Sequence, residues 1–347
     1  MNYQNMGTFD GGVVGGVRTG GAARGGVLTL DEAAIASGGA FLRSELEKRD
    51  PLIRTPLTSF TYPRDINVSV GGGWVDAISA QAVGYGVTGG SGDSPVGSGG
   101  ANGIPVVNAN VTTGLYKAHV FQLALKVMFV DMQKANYTGR SLDSLLTDGV
   151  RMTYDKHMDQ NVYLGLPAYG TTGLLNCPDA LETTVAGNGA ATPSTRWKDK
   201  TPDQILADVN AALVANWAAA EYDESALPNH ILLPYEQYTD ILTRKVTDLA
   251  SETILDFLLR NNAAVKNGGS LYIGATRWCK GAGTGGTDRM AVYCNRERFV
   301  SVEELVPLSR VMSTPNAAET CYDTAYMANL SEVEVFYPQT IAYYDGI

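Results

Sequence analysis

Apolar and polar positions begin to alternate strictly at Thr61. In TYPRDINVSV, Ile66, Val68 and Val70 fall two apart, and Trp74, Ile78 and Val83 continue an extended pattern through GGGWVDAISAQAVGYGV. Beyond a glycine-rich stretch, IPVVNANVTTGLYKAHVFQLALKVMFVDM is again extended, β-branched and aromatic. Two long strand segments flanking a polar, glycine-rich tip predict a hairpin that projects from the body. Such a hairpin is marginally stable alone, so it should lie on another surface.

The pattern then changes period. Over residues 141 to 164, SLDSLLTDGVRMTYDKHMDQNVYL, the positions Leu142, Leu145, Leu146 and Met152 or Thr153 follow the helical stripe. Ser141 is the expected N-cap, Asp143 suits the first turn, and Gly165 with Pro167 supplies the stop. Gly149 inside this helix costs up to about 1 kcal/mol and predicts a close packing contact. Residues 167 to 200 read as a loop. A second helix follows in TPDQILADVNAALVANW, with Thr201 as N-cap and Pro202 at the first helical position. HILLP reads as a short buried strand, and PYEQYTDILTRKV and ETILDFLLRNN as helices. SLYIGATRWC and RMAVYC read as strands joined by a glycine-rich turn, and FVSVEELVPLSRVM, TCYDTAYMANL and EVEVFYPQTIAYYDGI as further strands.

Residues 1 to 27 (GGVVGGVRTGGAARGG within them) are too poor in apolar surface to fold alone, which predicts an arm held by neighbouring chains. The segment after it is helical in parts, around Ala33, Ala34 and Ile35 and around Phe41, Leu42 and Leu46.

Glycine spacing raises one chemical possibility. Gly84, Gly86 and Gly89 spell G-x-G-x-x-G, as do Gly281, Gly283 and Gly286. A dinucleotide cradle needs a helix starting at the last glycine so that its N–H groups face a pyrophosphate. Neither place has one: SGDSPVGSGGANGIP follows the first, and the strand-like Met290, Val292 and Tyr293 follow the second.

At 347 residues and 44% hydrophobic content the chain is long enough for a sizeable core and about two domains. No apolar run approaches the roughly 20 residues of a membrane span, and the start shows no secretory signal pattern. A net charge of −10 argues against gripping nucleic acid, though not against a wall along which DNA slides. Cys177, Cys279, Cys294 and Cys321 lack metal-ligand spacing and read as reduced thiols; Cys279 and Cys294 would face each other only if their strands formed a hairpin. His119 and His230 read as structural. His157 lies between Asp155 and Asp159 at i, i+2, a spacing that puts the three side chains on different faces, so a solvated or interface face is expected; Asp155 and Asp159 read as an exposed charged stripe. No catalytic site, cofactor site or metal site is predicted.

The order of elements resembles the major capsid proteins of tailed double-stranded DNA bacteriophages, the HK97-type fold shared with encapsulin shells. The α+β chain aligns nearly throughout: an N-terminal arm (residues 1–60), an extended E-loop hairpin (61–118), a peripheral domain (119–200) with its long spine helix (141–165), an axial domain (201–295), peripheral return strands (296–330) and an axial closing strand (331–347). YPRDI ahead of the hairpin and the terminal Tyr-Pro strand carry the likeness further. The resemblance implies a non-enzymatic structural protein that assembles with itself into hexamers and pentamers of an icosahedral shell around packaged DNA, without sequence-specific binding. It implies a virion protein assembled in the host cytoplasm, with no membrane partner, with decoration and portal proteins as separate partners and any scaffold either a separate protein or absent. An encapsulin-like compartment enclosing enzymes is the alternative; an α/β enzyme lacks a visible polar cleft, and a secreted surface protein lacks a signal. Assembly contacts are expected from Trp74, Ile78, Val83 and Tyr85 of the hairpin and from Gly149 of the long helix. In some relatives a hairpin lysine forms an isopeptide bond to the next subunit. Between Lys48 and Lys117 this chain has no lysine, so its hairpin should hold by non-covalent contacts.

Overall fold

The computed structural model describes residues 60–88, 106–138, 142–247 and 252–347. The arm, the segment following it, the hairpin tip and the Ser141 cap lie outside the described residues. Ser59–Ile347 form one compact unit.

The extended pattern from Asn67 produces β1 (Asn67–Val70), β2 (Ala77–Thr88) and β3 (Val106–Met128). YPRD, just ahead, is a short helix, α1 (Tyr62–Asp65), where Pro63 sits in the first turn with no N–H to lose. At 23 residues β3 runs roughly 75 Å and belongs to two ladders. Val106 to Lys117 pair with β2; from Ala118 to Met128 the same strand pairs with β9 (Cys321–Ser331). The hairpin is thus an outgrowth of a sheet whose order is β1, β8 (Val300–Asn316), β9, β3, β2, with β10 (Glu334–Val335) on β8. Pro307 lies in β8 within the register shift between Val306 and Ser309, where a missing donor does least harm.

The extended reading runs too far at one point. Phe129–Thr138 forms a helix, α2, not a continuation of the strand. The long helix, α3, spans Leu142–Leu164, about 35 Å. Its buried stripe is Val150, Tyr154, Met158 and Val162, whereas Leu145 is exposed and Leu146 and Met152 are half-buried. Spacing identifies an apolar stripe but not what covers it. Gly165 ends the helix at φ 68°, and a Cβ there would come within 2.5 Å of the Thr171 carbonyl.

The expected loop before Thr201 contains one strand, β4 (Leu181–Thr184). α4 (Pro202–Ala219) starts as its sequence requires, with a capping box between Thr201 and Gln204. β5 (His230–Leu233), α5 (Tyr235–Thr243), α6 (Ile254–Arg260), α7 (Ala263–Lys266), β6 (Tyr272–Ala275), β7 (Arg289–Tyr293) and β11 (Ile341–Asp345) complete the unit. Their sheet runs β4, β11, β7, β5, β6. SLYIGATRWC and RMAVYC therefore do not form a hairpin: β5 lies between β6 and β7, and Cys279 and Cys294 are buried free thiols.

The inner strands β5, β7 and β11 of this second sheet are buried on both faces, which is why HILL and MAVY read as continuous apolar runs, whereas the edge strand β4 is exposed. Ile231, Leu233, Val292 and Tyr344 meet α4, α5 and α6 through Val209, Leu213, Ile241 and Leu258. Leu232, Tyr293, Ile341 and Tyr343 meet Val162 and Tyr163 of α3 together with Val300 and Val302 of β8. A third cluster sets Tyr154 and Met158 on Ala328 and Leu330, with Phe121 and Leu308 at its margin. The long helix is thereby packed against both sheets.

Candidate assembly site at the hairpin and its root

The register of the hairpin sorts its side chains into two faces. Val83 stands opposite Val111, Tyr85 opposite Ala109, and Ser79 opposite Leu115. Because strand side chains alternate, Val83, Tyr85, Val107, Val111 and Leu115 share one face, and all five are exposed; Tyr85 is 78% and Leu115 69% accessible. The opposite face carries Ala80, Ala82, Gly84, Thr112 and Gly114, small and flat. Of the residues expected to make contacts, Val83 and Tyr85 lie on the apolar face. Ile78 points the other way, half-buried opposite Tyr116, and the exposed Trp74 precedes β2 beside the hinge. Val107, Val111 and Leu115 were missed, although their odd spacing in VVNANVTTGLY was available to be paired with Val83 and Tyr85.

Gly149 behaves differently from expectation within the chain. A Cβ built there meets nothing within 4 Å, so no part of the described chain makes the close approach.

The hairpin springs from a defined root. On one side Gly71, Gly72 and Gly73 take φ of 136°, 117° and 81°, and a Cβ on Gly72 would fall 2.5 Å from Leu305 Cδ2. The Gly73 N–H donates to Leu305 O, and Asn329 Nδ2 donates to the carbonyls of Gly73 (3.1 Å) and Val75 (2.9 Å). On the other side the Lys117 N–H donates to Glu332 Oε1 (2.7 Å), the Glu332 N–H to Lys117 O (2.9 Å), and the Tyr116 hydroxyl to Val335 O (2.7 Å). Tyr116 also meets Phe336 edge-on at 5.7 Å.

The chain entering the hairpin is anchored by buried carboxylates. Asp65, fully buried, takes a two-pronged bond from Arg64 (2.6 and 2.8 Å) and a hydrogen bond from the Tyr163 hydroxyl, while Tyr293 donates to its carbonyl. Burial, then the Asp65 charge, pushes the Tyr163 and Tyr293 hydroxyls up, so both stay protonated donors. Asp159 is buried too, and not part of an exposed stripe: it accepts from Thr61 N (3.0 Å), Arg277 Nη2 (3.1 Å) and Trp278 Nε1 (2.7 Å). The two acids bind α1 to the helix end and to the second sheet.

His157 is not on a solvated face either. Its Nε2 lies 3.4 Å from Nε2 of His119 on β3, and its ring packs on Phe121. The i, i+2 spacing keeps it off the face of the aspartates, and its partner comes from a strand 38 residues away, which helix periodicity does not encode. Burial, then His157, takes His119 down to about 4, and burial lowers His157.

The second glycine-rich turn holds the chain's own acids. The Gly281 N–H donates to Asp288 Oδ1 (3.0 Å) and the Thr284 N–H to Asp345 Oδ2 (2.8 Å), so these amides serve carboxylates, not a phosphate. Among the described residues no group of three His, Cys, Asp or Glu side chains is placed to hold a metal. No described helix is long and apolar enough to cross a membrane.

The major capsid protein family model matches residues 92–347. No curated protein matches the chain. Among solved structures, the capsid of Myoviridae phage XM1 is similar with a TM-score of 0.72 at 14% identity, covering 88% of this chain and 98% of that one. The capsid of an empty GTA particle matches at 0.58 with 14% identity, over 90% and 98%. Microbacterium phage Oxtober96 matches at 0.56 with 12% identity, over 88% and 98%. At these identities the likeness is one of fold.

Proposed function

The chain belongs to the major capsid protein family, and from that premise we propose that its hairpin is the element that ties one copy to the next in a closed shell. The protein is a structural shell component, not an enzyme. Its α+β fold is that of HK97-type phage capsids. The observation that carries the proposal is the row Val83, Tyr85, Val107, Val111 and Leu115, exposed on a hairpin that buries little of its own surface. A projecting two-stranded ribbon with one apolar face is stabilised by covering that face, and a second copy of the chain is the surface that shell closure brings to it.

In this proposal the copies form hexamers and pentamers that enclose packaged DNA without sequence-specific binding. The net charge of −10 suits a wall that does not grip its contents. Separate scaffolding, decoration and portal proteins complete the particle, assembled in the host cytoplasm. Trp74 and Ile78 are proposed as contacts at the hairpin base, and Gly149 as a place where another copy approaches the long helix. A compartment for enzymes is not favoured, because the family and the similar structures are capsids. Size-exclusion chromatography with light scattering tests the proposal: large discrete particles are expected, and a monomer at every concentration and salt would overturn it.

A further inference from the structure

Glu334 is 1% accessible, and among the described residues its Oε1 has no hydrogen-bond partner. A buried, half-satisfied carboxyl is costly unless something neutralises it. No described cation does so: neither Glu334 nor its neighbours Glu303 and Glu332 enters an ion pair, while the Lys117 ammonium is turned toward the carbonyls of Tyr169 and Gly170. Among the described residues, what surrounds Glu334 is acidic or neutral. β8 contributes Glu303 and Ser301, the latter opposite Glu334 in the ladder; the end of β9 and its link to β10 contribute Ser331 and Glu332; β3 contributes Tyr116. The carboxyl is sealed from solvent and no described cation stands beside it, so charge balance falls to a proton.

The position matters as much as the burial. Glu332 and Val335 hold the last hairpin rung through Lys117 and Tyr116, and Glu303 Oε2 lies 4.0 Å from where a Cβ on Gly72 would sit. The acids therefore stand between the clasp and the glycine hinge. We propose that Glu303, Glu332 and Glu334 form a proton-operated latch on the hairpin root: with a proton on Glu334 the clasp holds, and without it repulsion loosens β10 and frees the hairpin to turn about Gly71–Gly73. Supporting this, burial and then Glu303 push the Glu334 carboxyl up to about 7, with Ser331 opposing and Glu332 adding. Tyr116 feels the same site: burial and then Glu334 raise its hydroxyl to about 12.

The test is amide hydrogen exchange on the unassembled full-length chain from pH 5.5 to 8.5, with rates corrected for the intrinsic pH effect. Because one unit of pKa displacement is tenfold in an equilibrium, protection of the root (residues 114–118 and 329–336) should fall at least about tenfold across pH 7, while β7 stays unchanged. E334Q should remain protected throughout. E303Q removes a neighbouring charge without touching Glu334, so it should move the midpoint to lower pH, a displacement that a merely structural role would not produce. Flat root protection in the unmodified chain overturns the latch, as does an unmoved midpoint in E303Q; should E334Q not fold, E303Q decides. The readout needs no shell, so its failure is separate from failure of the assembly proposal.

Discussion

Leu115→Ala isolates the hairpin face. In the single chain Leu115 keeps 69% of its surface in water, so truncation removes little that the subunit itself buries. Subunit stability should change by no more than about 0.5 kcal/mol, as for other surface substitutions. In a shell that covers the face, the remaining two-thirds of the side chain is buried, worth about 1–2 kcal/mol of the 1.5–3 for a complete leucine. At 1.4 kcal/mol per factor of ten, the subunit concentration needed for assembly should rise by roughly 5- to 30-fold. Light scattering against concentration measures that threshold, and thermal unfolding of unassembled subunits supplies the control. Ala80→Ser, on the opposite face of the same ribbon, should move the threshold much less. The reasoning is refuted if Leu115→Ala assembles at the unmodified threshold, and the faces are assigned backwards if Ala80→Ser moves it more.

Three further outcomes are expected. Folding holds His119 and His157 neutral, with His119 lowered from the usual 6.5 to about 4, so the His119 contribution is complete above pH 6.5 and is lost as pH falls toward 4; His119→Gln should abolish that loss, so that below pH 6.5 its stability, taken relative to its own value at pH 7.5, exceeds that of the unmodified chain by up to about 3 kcal/mol in Tm-against-pH measurements. Gly149→Ala should stabilise the free subunit by up to about 1 kcal/mol, since a Cβ meets open space there, and should impede particle formation if another copy packs against that turn. Particles boiled in denaturing detergent should run as one band near 36.9 kDa; a ladder surviving reductant would show a covalent link that the lysine-free stretch between Lys48 and Lys117 does not supply.

Local signals in the sequence were legible where one chemistry dominates. Thr201, Pro202 and Gln204 write a helix start, Gly165 a helix end, and period-two spacing the strands of the hairpin. What failed depended on partners distant in the chain. SLYIGATRWC and RMAVYC are adjacent in sequence, yet β5 inserts between them, and no local pattern records a third strand. Asp159 looks like half of an exposed pair because its donors, Thr61 and Trp278, stand 98 and 119 residues away. Glu334 sits in EVEVFYP as one acid of an alternating strand; only the fold puts Glu303 beside it and seals its Oε1.

The two titrating groups at the hairpin root work against each other, and that opposition is a physical property of where they sit. Glu332 and Tyr116 connect the acidic cluster to β3 at positions 116 and 117, and His119 leaves the same strand two residues later toward α3. Glu334, raised from 4.5 to about 7, contributes stability that is complete below pH 4.5 and is lost as pH rises through 7. His119 contributes in the opposite sense, between 6.5 and about 4. Over the shared range the slopes subtract, so global stability of the unmodified chain can be almost flat in pH while its root changes character. Near neutrality the histidines are already neutral, and only the proton on Glu334 remains to be lost. Local exchange at the root, not the melting temperature of the whole chain, is therefore where the titration becomes visible.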